Sequence, residues 1–77
     1  MPCIAKCPYC GETIRGRSEE AVQKLYRQHL LDRHDDVLSE RLEKLCRKGS
    51  CPSKNIDVNK RWLAGFLAAL VVHCDED

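Results

Sequence analysis

The sequence lacks both a long hydrophobic run and an excess of charge of one sign. Its longest apolar run, from Trp62 to Val72, covers 11 residues, whereas a membrane-spanning helix needs about 20. The 13 lysines and arginines nearly balance the 12 aspartates and glutamates, which argues against a strongly basic nucleic-acid tail or an acidic solvated one. The first six residues contain no apolar stretch of the length that a secretory signal requires. We therefore expect an intracellular protein with no membrane association.

Internal repeats and low-complexity segments are also missing. Hydrophobic residues make up 43% of the chain, so the composition argues against disorder. The length suits one small domain, and we expect residues 1–77 to form a single unit. A core of this size stabilises a fold by only about 3–5 kcal/mol, so additional cross-links are expected. The six cysteines can supply them, by binding metal or by pairing with each other.

Turn and helix patterns divide the chain near residue 35. Residues 4–17 are typical of a short hairpin. A helix is predicted from an N-cap at Ser18 to about Arg33. The residues expected to share one face of this helix are Val22, Leu25, Tyr26 and His29. Leu31 falls on the opposite side of the helix, so another element should cover it.

Two further helices are predicted in residues 35–77. The second should be capped by Asp35 or Asp36 and should run to about Lys48. The third should be capped by Asp57 and should run to about Cys74. Because the third helix is apolar nearly all round, we expect it to be the buried one. The expected fold is a small α-rich domain in which a C-terminal helical hairpin packs on the first helix.

Two cysteines and two histidines have the spacing of a metal site. Two residues separate Cys7 from Cys10, which lets two thiolates bind one ion from a tight turn. Four residues separate His29 from His34, as at the end of a metal-binding helix. Two sulfurs and two imidazole nitrogens complete the tetrahedral coordination of zinc. No position remains for a water molecule, so one structural zinc per chain is predicted.

At these residues the chain resembles the two-cysteine, two-histidine zinc-finger family. The resemblance covers about residues 4–34 and implies a ββα finger with a long helix, followed by a helical extension over 35–77. The spacing differs from the family pattern, because 18 residues separate Cys10 from His29, against about 12 in the family. Ile14 stands where the family usually has an aromatic residue, and Tyr26 stands where it usually has leucine.

The resemblance implies nucleic-acid recognition by the finger helix, in a small DNA-binding transcription regulator. Duplex DNA is the expected partner, and RNA is the alternative. The residues predicted to contact nucleic acid are Arg15, Arg17, Lys24, Arg27 and Gln28. Arg15 and Arg17 suit phosphate contacts, whereas Gln28 is the best placed to reach a base edge. A solvated basic face explains the same side chains equally well.

A different function class is a zinc-stabilised interaction module. The helix from Trp62 to Val72 is more apolar than a small monomer readily hides, and residues 62–72 could form a homodimer. Near-zero net charge also favours association. The residues small enough to let two such helices approach closely are Ala64, Gly65, Ala68 and Ala69.

An enzyme is not expected. Cys7-Pro8-Tyr9-Cys10 also matches the active-site string of glutaredoxins, which implies a thiol–disulfide oxidoreductase. In that family a strand precedes the string and a helix follows it, whereas here Gly11 follows at once and only six residues precede it. The chain shows no carboxylate pair, nucleophile–base set or phosphate loop.

Four cysteines remain outside the predicted metal site, and buried free thiols are their simplest interpretation. If they are oxidised, Cys46 should pair with Cys51 across a turn, and Cys3 should pair with Cys74 to join the termini. A second metal site that combines Cys46 and Cys51 with His73 and Cys74 is disfavoured. The two pairs would lie at opposite ends of the third helix, roughly 25 Å apart.

Overall fold

The computed structural model describes residues 2–74 and begins with a β-hairpin. Strand β1 (Cys3–Lys6) pairs antiparallel with strand β2 (Thr13–Gly16), and Ala5 lies opposite Ile14. Alternate residues of β1 are buried and exposed, as expected for a strand with one face on the core. The hairpin predicted over residues 4–17 is confirmed. Met1 and residues 75–77, which the predicted single domain includes, lie outside the described residues.

Helix α1 (Glu19–Arg33) follows the hairpin. The predicted cap is confirmed, because the Ser18 hydroxyl accepts a hydrogen bond from the Ala21 amide at 3.2 Å. The buried side chains of α1 are Val22, Tyr26 and Leu30. Leu25 was expected among them but is 52% exposed. It lies about 100° around the helix from Tyr26, which is the centre of the buried face.

Helices α2 (Asp35–Arg47) and α3 (Ile56–Val71) complete the predicted set of three, but both begin differently from the prediction. The N-cap of α2 is His34, and Asp35 lies inside the first turn. At α3 the predicted cap, Asp57, is also inside the first turn. Asn55 caps the helix instead, because its side-chain oxygen accepts the Asp57 amide at 2.9 Å and the Val58 amide at 3.3 Å.

The third helix ends earlier than predicted, and a short strand follows it. Strand β3 (His73–Cys74) pairs antiparallel with β1, so the sheet has the order β2-β1-β3. Cys3 lies opposite Cys74 in this pairing, and a disulfide joins the two residues. The expectation of a helix running to Cys74 is therefore wrong. A two-residue strand has no hydrophobic alternation of its own, and it forms because β1 offers a free edge.

The third helix is buried on one side only, which corrects the expectation of a fully buried helix. Its buried residues are Asn59, Leu63, Ala64 and Ala68. The opposite side of α3 carries large apolar side chains that remain exposed, namely Val58, Trp62, Phe66 and Leu70. The helix forms the outer layer of a small domain, and within residues 2–74 no element covers this second side.

The two C-terminal helices contact each other but are not aligned as a full-length antiparallel hairpin. That pairing would place the start of α2 opposite the last turns of α3. Instead the Lys60 ammonium lies 2.8 Å from the Asp35 carboxylate, so the first turn of α2 adjoins the second turn of α3. The core residues that these helices share with α1 include Leu30, Leu38, Leu42 and Leu63. Leu31 is half-buried against this cluster, as predicted.

Candidate functional site

The turn of the hairpin positions the two cysteines of the predicted metal site. The Cys7 amide donates to the Glu12 carbonyl at 2.8 Å, and the Gly11 amide donates to the Cys7 carbonyl at 2.8 Å. Gly11 has a φ of 76°, a left-handed conformation that glycine adopts without strain. These contacts close the turn tightly and bring Cys7 and Cys10 to the same end of the hairpin.

Helix α1 supplies the two histidines, and the end of this helix sets their geometry. His29 lies within α1, whereas His34 follows its last residue and has a φ of −127°. The His34 amide still donates to the Leu30 carbonyl at 2.9 Å, which keeps the residue attached to the helix end. Five successive helical positions would turn His34 about 140° away from His29. The non-helical backbone at His34 removes this obstacle, in agreement with the prediction that the helix ends before it.

The four side chains meet in one cluster. The Cys7 sulfur lies 3.3 Å from the His34 Nε2 atom, and the Cys10 sulfur lies 3.5 Å from the His29 Nε2 atom. All four ligand atoms lie within 4.8 Å of one another. A tetrahedral zinc ion with ordinary bond lengths separates sulfur from nitrogen by roughly 3.6 Å. The cluster is therefore compatible with a structural zinc, and the chemistry of two thiols and two imidazoles fits this ion.

A carboxylate outside the cluster orients one of the histidines. The Glu12 Oε2 atom lies 3.4 Å from the His29 Nδ1 atom, on the side of the ring opposite the Nε2 atom that faces Cys10. A carboxylate at this position favours the tautomer that leaves Nε2 free to bind a metal. Sequence reasoning missed Glu12, because 16 residues separate it from His29 and no local pattern links the two.

Aromatic rings pack around the same cluster. The Tyr26 ring stacks on the His29 ring at 5.9 Å, and the Tyr9 ring lies 5.4 Å from the His34 ring. The Arg41 guanidinium of α2 lies over Tyr9, 5.9 Å from the ring centre. The interactions of Tyr9 and Arg41 therefore connect the cysteine turn to the second helix.

The two thiols have unequal electrostatic environments. Burial raises the pKa of the Cys7 thiol, but hydrogen bonds from the Tyr9 and Cys10 backbone, together with the nearby Tyr26 hydroxyl, outweigh burial and lower it overall. At Cys10 the Glu12 backbone lowers the pKa, whereas desolvation and the neighbouring Cys7 raise it, with a net increase. The pKa values of the two thiols are therefore shifted in opposite directions.

Tyr26 supplies a polar atom that points to the same cluster. Its hydroxyl is buried, and it has no hydrogen-bond partner among residues 2–74. Burial, followed by the interaction with Cys7, raises the pKa of this hydroxyl. A neutral donor next to the Cys7 sulfur suits a thiolate, which is the form in which cysteine binds zinc.

The residues predicted to contact nucleic acid are all exposed, namely Arg15, Arg17, Lys24, Arg27 and Gln28. These residues do not form a single cluster in the structure. Arg15 is on β2 and Arg17 precedes α1, whereas Lys24 and Arg27 line a groove beside Gly65 of α3. The Gln28 amide donates to the Asp32 carboxylate at 3.0 Å, so it is already engaged within α1.

The remaining cysteines differ from each other in state. Cys3 and Cys74 form the disulfide, whereas Cys46 and Cys51 are free thiols. A hydrogen bond with Cys51 raises the pKa of the Cys46 thiol, so these two side chains are neighbours, as the predicted pairing across the turn requires. Within residues 2–74 only the cluster of Cys7 and its three partners could hold a metal.

No protein-family model, curated protein or solved structure matches the chain. Among residues 2–74, no helix has both the length and the apolar character that are needed to cross a membrane.

Proposed function

We propose that this chain is a nucleic-acid-binding domain stabilised by one structural zinc ion. The observation that carries this function is the set of unpaired cations around the first helix. Within the described residues, no acidic side chain forms an ion pair with Arg15, Arg17, Lys24 or Arg27. Arginine and lysine side chains without partners are available to neutralise phosphates.

The second helix differs from the first because it contains ion pairs between its own side chains. Two of its three cations, Lys44 and Arg47, are paired with Glu40 and Glu43, at 3.9 Å and 2.6 Å respectively, and the third, Arg41, lies over the Tyr9 ring. Basic residues of α2 therefore contribute less to an anion-binding surface than their number in the sequence indicates. Arg15, Lys24 and Arg27, which form no ion pair within residues 2–74, belong to the hairpin and α1, the two elements that a metal at the cluster would join.

The zinc ion would have a structural role. Cys7 and Cys10 come from the hairpin turn, and His29 and His34 come from α1 and its end. An ion bound by all four would hold Arg15 and Arg17 in a constant position relative to Lys24. The succession of hairpin and helix, with one ligand pair from each, supports assignment as a ββα finger with an extended helix.

Phosphate contacts should dominate over base reading. Gln28 would have to give up its bond to Asp32 before it could contact a base. Contacts from Arg15 and Arg17 position a protein on nucleic acid without specifying sequence. Duplex DNA is the proposed partner, with RNA as the alternative, and a role in transcription regulation follows if DNA is bound. Such a partner implies an intracellular location.

Fluorescence anisotropy with a labelled duplex at several salt concentrations tests this function. The logarithm of affinity should fall with the logarithm of salt concentration by roughly 0.9 per neutralised phosphate. The double variant Arg15→Gln, Arg17→Gln should make this slope shallower by about two units. The matched control Lys44→Gln, Arg47→Gln removes the same charge from paired positions and should change the slope little. A folded, zinc-loaded protein without salt-dependent binding to DNA or RNA would contradict the proposal.

The exposed side of α3 favours a second candidate function, a protein-interaction module. Trp62 and Phe66 are 44% and 53% exposed, and their rings stack on each other at 6.2 Å. Exposed apolar rows of this kind mark interaction surfaces. Sedimentation of the wild type against the double variant Trp62→Ser, Phe66→Ser tests whether residues 62–72 form a homodimer. This second function would be favoured if the wild type is a dimer, the variant is a monomer, and the protein binds no nucleic acid.

A further inference from the structure

We infer that the groove between α1 and α3 is a phosphate-binding cleft in which Arg27 and Arg61 hold the nucleic-acid backbone, an inference that depends on the proposed nucleic-acid function. This groove has a volume of about 570 Å³. Arg27 comes from the α1 wall and Arg61 from the α3 wall, with Lys60 and Asp57 beside them. In the sequence 33 residues separate the two arginines, so no local pattern could have joined them.

Charge pairing leaves these two guanidinium groups as the free cations of the groove. Of the three cations and two carboxylates that line it, Lys60 and Asp35 neutralise each other at 2.8 Å. Arg27 and Arg61 form no ion pair with any side chain in residues 2–74. Among the described residues that line the groove, Asp57 is the carboxylate without an ion pair, and it lies in the first turn of α3, where it complements the helix dipole. The groove therefore retains a net positive charge.

The stem of Arg27 is held against the third helix. A Cβ atom added to Gly65 would lie 3.8 Å from the Arg27 Cδ atom, so the methylene chain of Arg27 passes over α3 at van der Waals distance. Arg27 also lines the adjoining groove with Lys24. The cations Lys24, Arg27 and Arg61 thus follow the seam between the two helices. Guanidinium groups match phosphate oxygens with two parallel hydrogen bonds, which suits a backbone laid along this seam.

The third helix also limits how the first helix could approach a duplex. Two packed helices lie about 8–10 Å apart, and each is about 10–12 Å in diameter with its side chains, so the layer formed by α1 and α3 is roughly 20 Å wide. The major groove of DNA is only about 12 Å wide. On the side of Lys24 and Arg27, α1 is therefore hindered from entering it as a finger helix does. Phosphates along the α1–α3 seam avoid this obstacle.

Single-charge variants of the whole protein test the cleft. Arg27→Gln and Arg61→Gln should each weaken binding to a labelled duplex about tenfold at low salt, since each removes a charged hydrogen-bond donor. Each should also make the salt slope shallower by about 0.9. Asp57→Asn should strengthen binding, because it removes the unpaired carboxylate of the groove. Arg47→Gln is the matched control, since its charge is already paired with Glu43 on α2. Zinc content and circular dichroism establish that each variant is folded.

The outcomes separate this inference from the proposed function. If Arg27→Gln, Arg61→Gln and Asp57→Asn all bind like the wild type while the Arg15→Gln, Arg17→Gln variant loses slope, the function stands and the cleft is wrong. If no nucleic acid binds the folded protein, both are wrong. A final experiment uses inorganic phosphate as the competitor of the labelled duplex, at the same phosphate concentration as unlabelled duplex. If inorganic phosphate competes as strongly as the unlabelled duplex, the cleft binds free phosphate and not the nucleic-acid backbone.

Discussion

At the hairpin end of the molecule, the side chains that meet are two thiols and two imidazoles, whereas between α2 and α3 they are leucines and alanines. Cys7 and Cys10 face His29 and His34 across distances that suit a metal. Between α2 and α3, Leu38, Leu42 and Leu63 are buried in the apolar core, and the Asp35–Lys60 ion pair joins the same two helices. The two regions therefore offer different sources of stability, namely ligands that a metal could join and buried apolar surface.

The difference shows where each kind of perturbation should act. Stability from a metal site is lost as a unit, because each ligand depends on the same ion. Stability from an apolar cluster is spread over many contacts and is lost in parts. The Cys3–Cys74 disulfide is a third source of stability, since it joins the first strand to the residues after α3. Removal of the metal, of the disulfide and of a buried leucine side chain in turn tests this contrast.

Removal of zinc should have the largest effect. A structural zinc contributes about 10–16 kcal/mol to the folding of small finger domains, more than a core of this size supplies. A strong chelator should therefore abolish the folded circular-dichroism signal, and elemental analysis should find one zinc per chain. The variant Cys46→Ala, Cys51→Ala keeps all four ligands and should respond like the wild type. A zinc-free protein, or a signal that the chelator leaves unchanged, would contradict this prediction.

Loss of the disulfide should have the next largest effect. The bond closes a loop with a sequence separation of 71 residues, and its removal should lower the free energy of unfolding by roughly 4 kcal/mol. The measurement is urea denaturation of Cys3→Ala, Cys74→Ala at saturating zinc. The variant Cys46→Ala, Cys51→Ala removes two thiols that form no disulfide and is the control. Equal stability of the two double variants would show that the Cys3–Cys74 disulfide contributes nothing to the free energy of unfolding.

A cavity at the leucine end should have a smaller, local effect. Leu42 is fully buried, and Leu42→Ala should lower the free energy of unfolding by about 3 kcal/mol through lost burial and the cavity that remains. Zinc content should stay at one per chain, because Leu42 supplies no ligand to the cluster. Leu70→Ala is the control, since Leu70 is 68% exposed. Loss of zinc from the Leu42→Ala protein would mean that metal binding depends on the packing of the leucines.

Glu12→Gln should change the metal end without unfolding it. The variant retains the shape of the side chain but removes the charge that orients His29. Zinc affinity should fall about 10- to 100-fold, as for other carboxylates behind metal-binding histidines. Competition with a chromophoric chelator measures this change. Glu43→Gln, a charge removal on α2, should leave affinity unaltered, and an equal loss in both variants would refute the orienting role.

The smallest expected effect is a gain in stability at α3. In Gly65→Ala the new methyl group would meet the Arg27 Cδ atom at 3.8 Å, an ordinary contact. Alanine in a helix interior is about 1 kcal/mol more favourable than glycine, so the free energy of unfolding should rise by about that amount. At the hairpin end, the matched change Gly16→Ala would bring Cβ to 2.8 Å from the buried Val22 side chain and should destabilise the fold. Thermal melts of both variants decide the signs.

Local patterns were enough to predict the hairpin, the start of α1 at Ser18 and the presence of three helices, because each depends on neighbouring residues. The cysteine and histidine spacings likewise predicted which four residues come together. The predicted starts of α2 and α3 were wrong, since the spacing of acidic residues could not distinguish an N-cap from a first turn. Asn55 competed successfully for the cap of α3 because its side chain reaches two amides at once.

The amino-acid sequence by itself determined which two cysteines and two histidines could hold a metal, and the order of the hairpin and the three helices, because these depend on the spacing of residue types along the chain. Tertiary structure alone decided which side of α3 is buried, the pairing of β3 with β1 and the contact between Glu12 and His29. It also decided that Arg27 and Arg61 line one groove. Each of these depends on the distance in space between residues far apart in sequence, and that distance is set by how the helices pack.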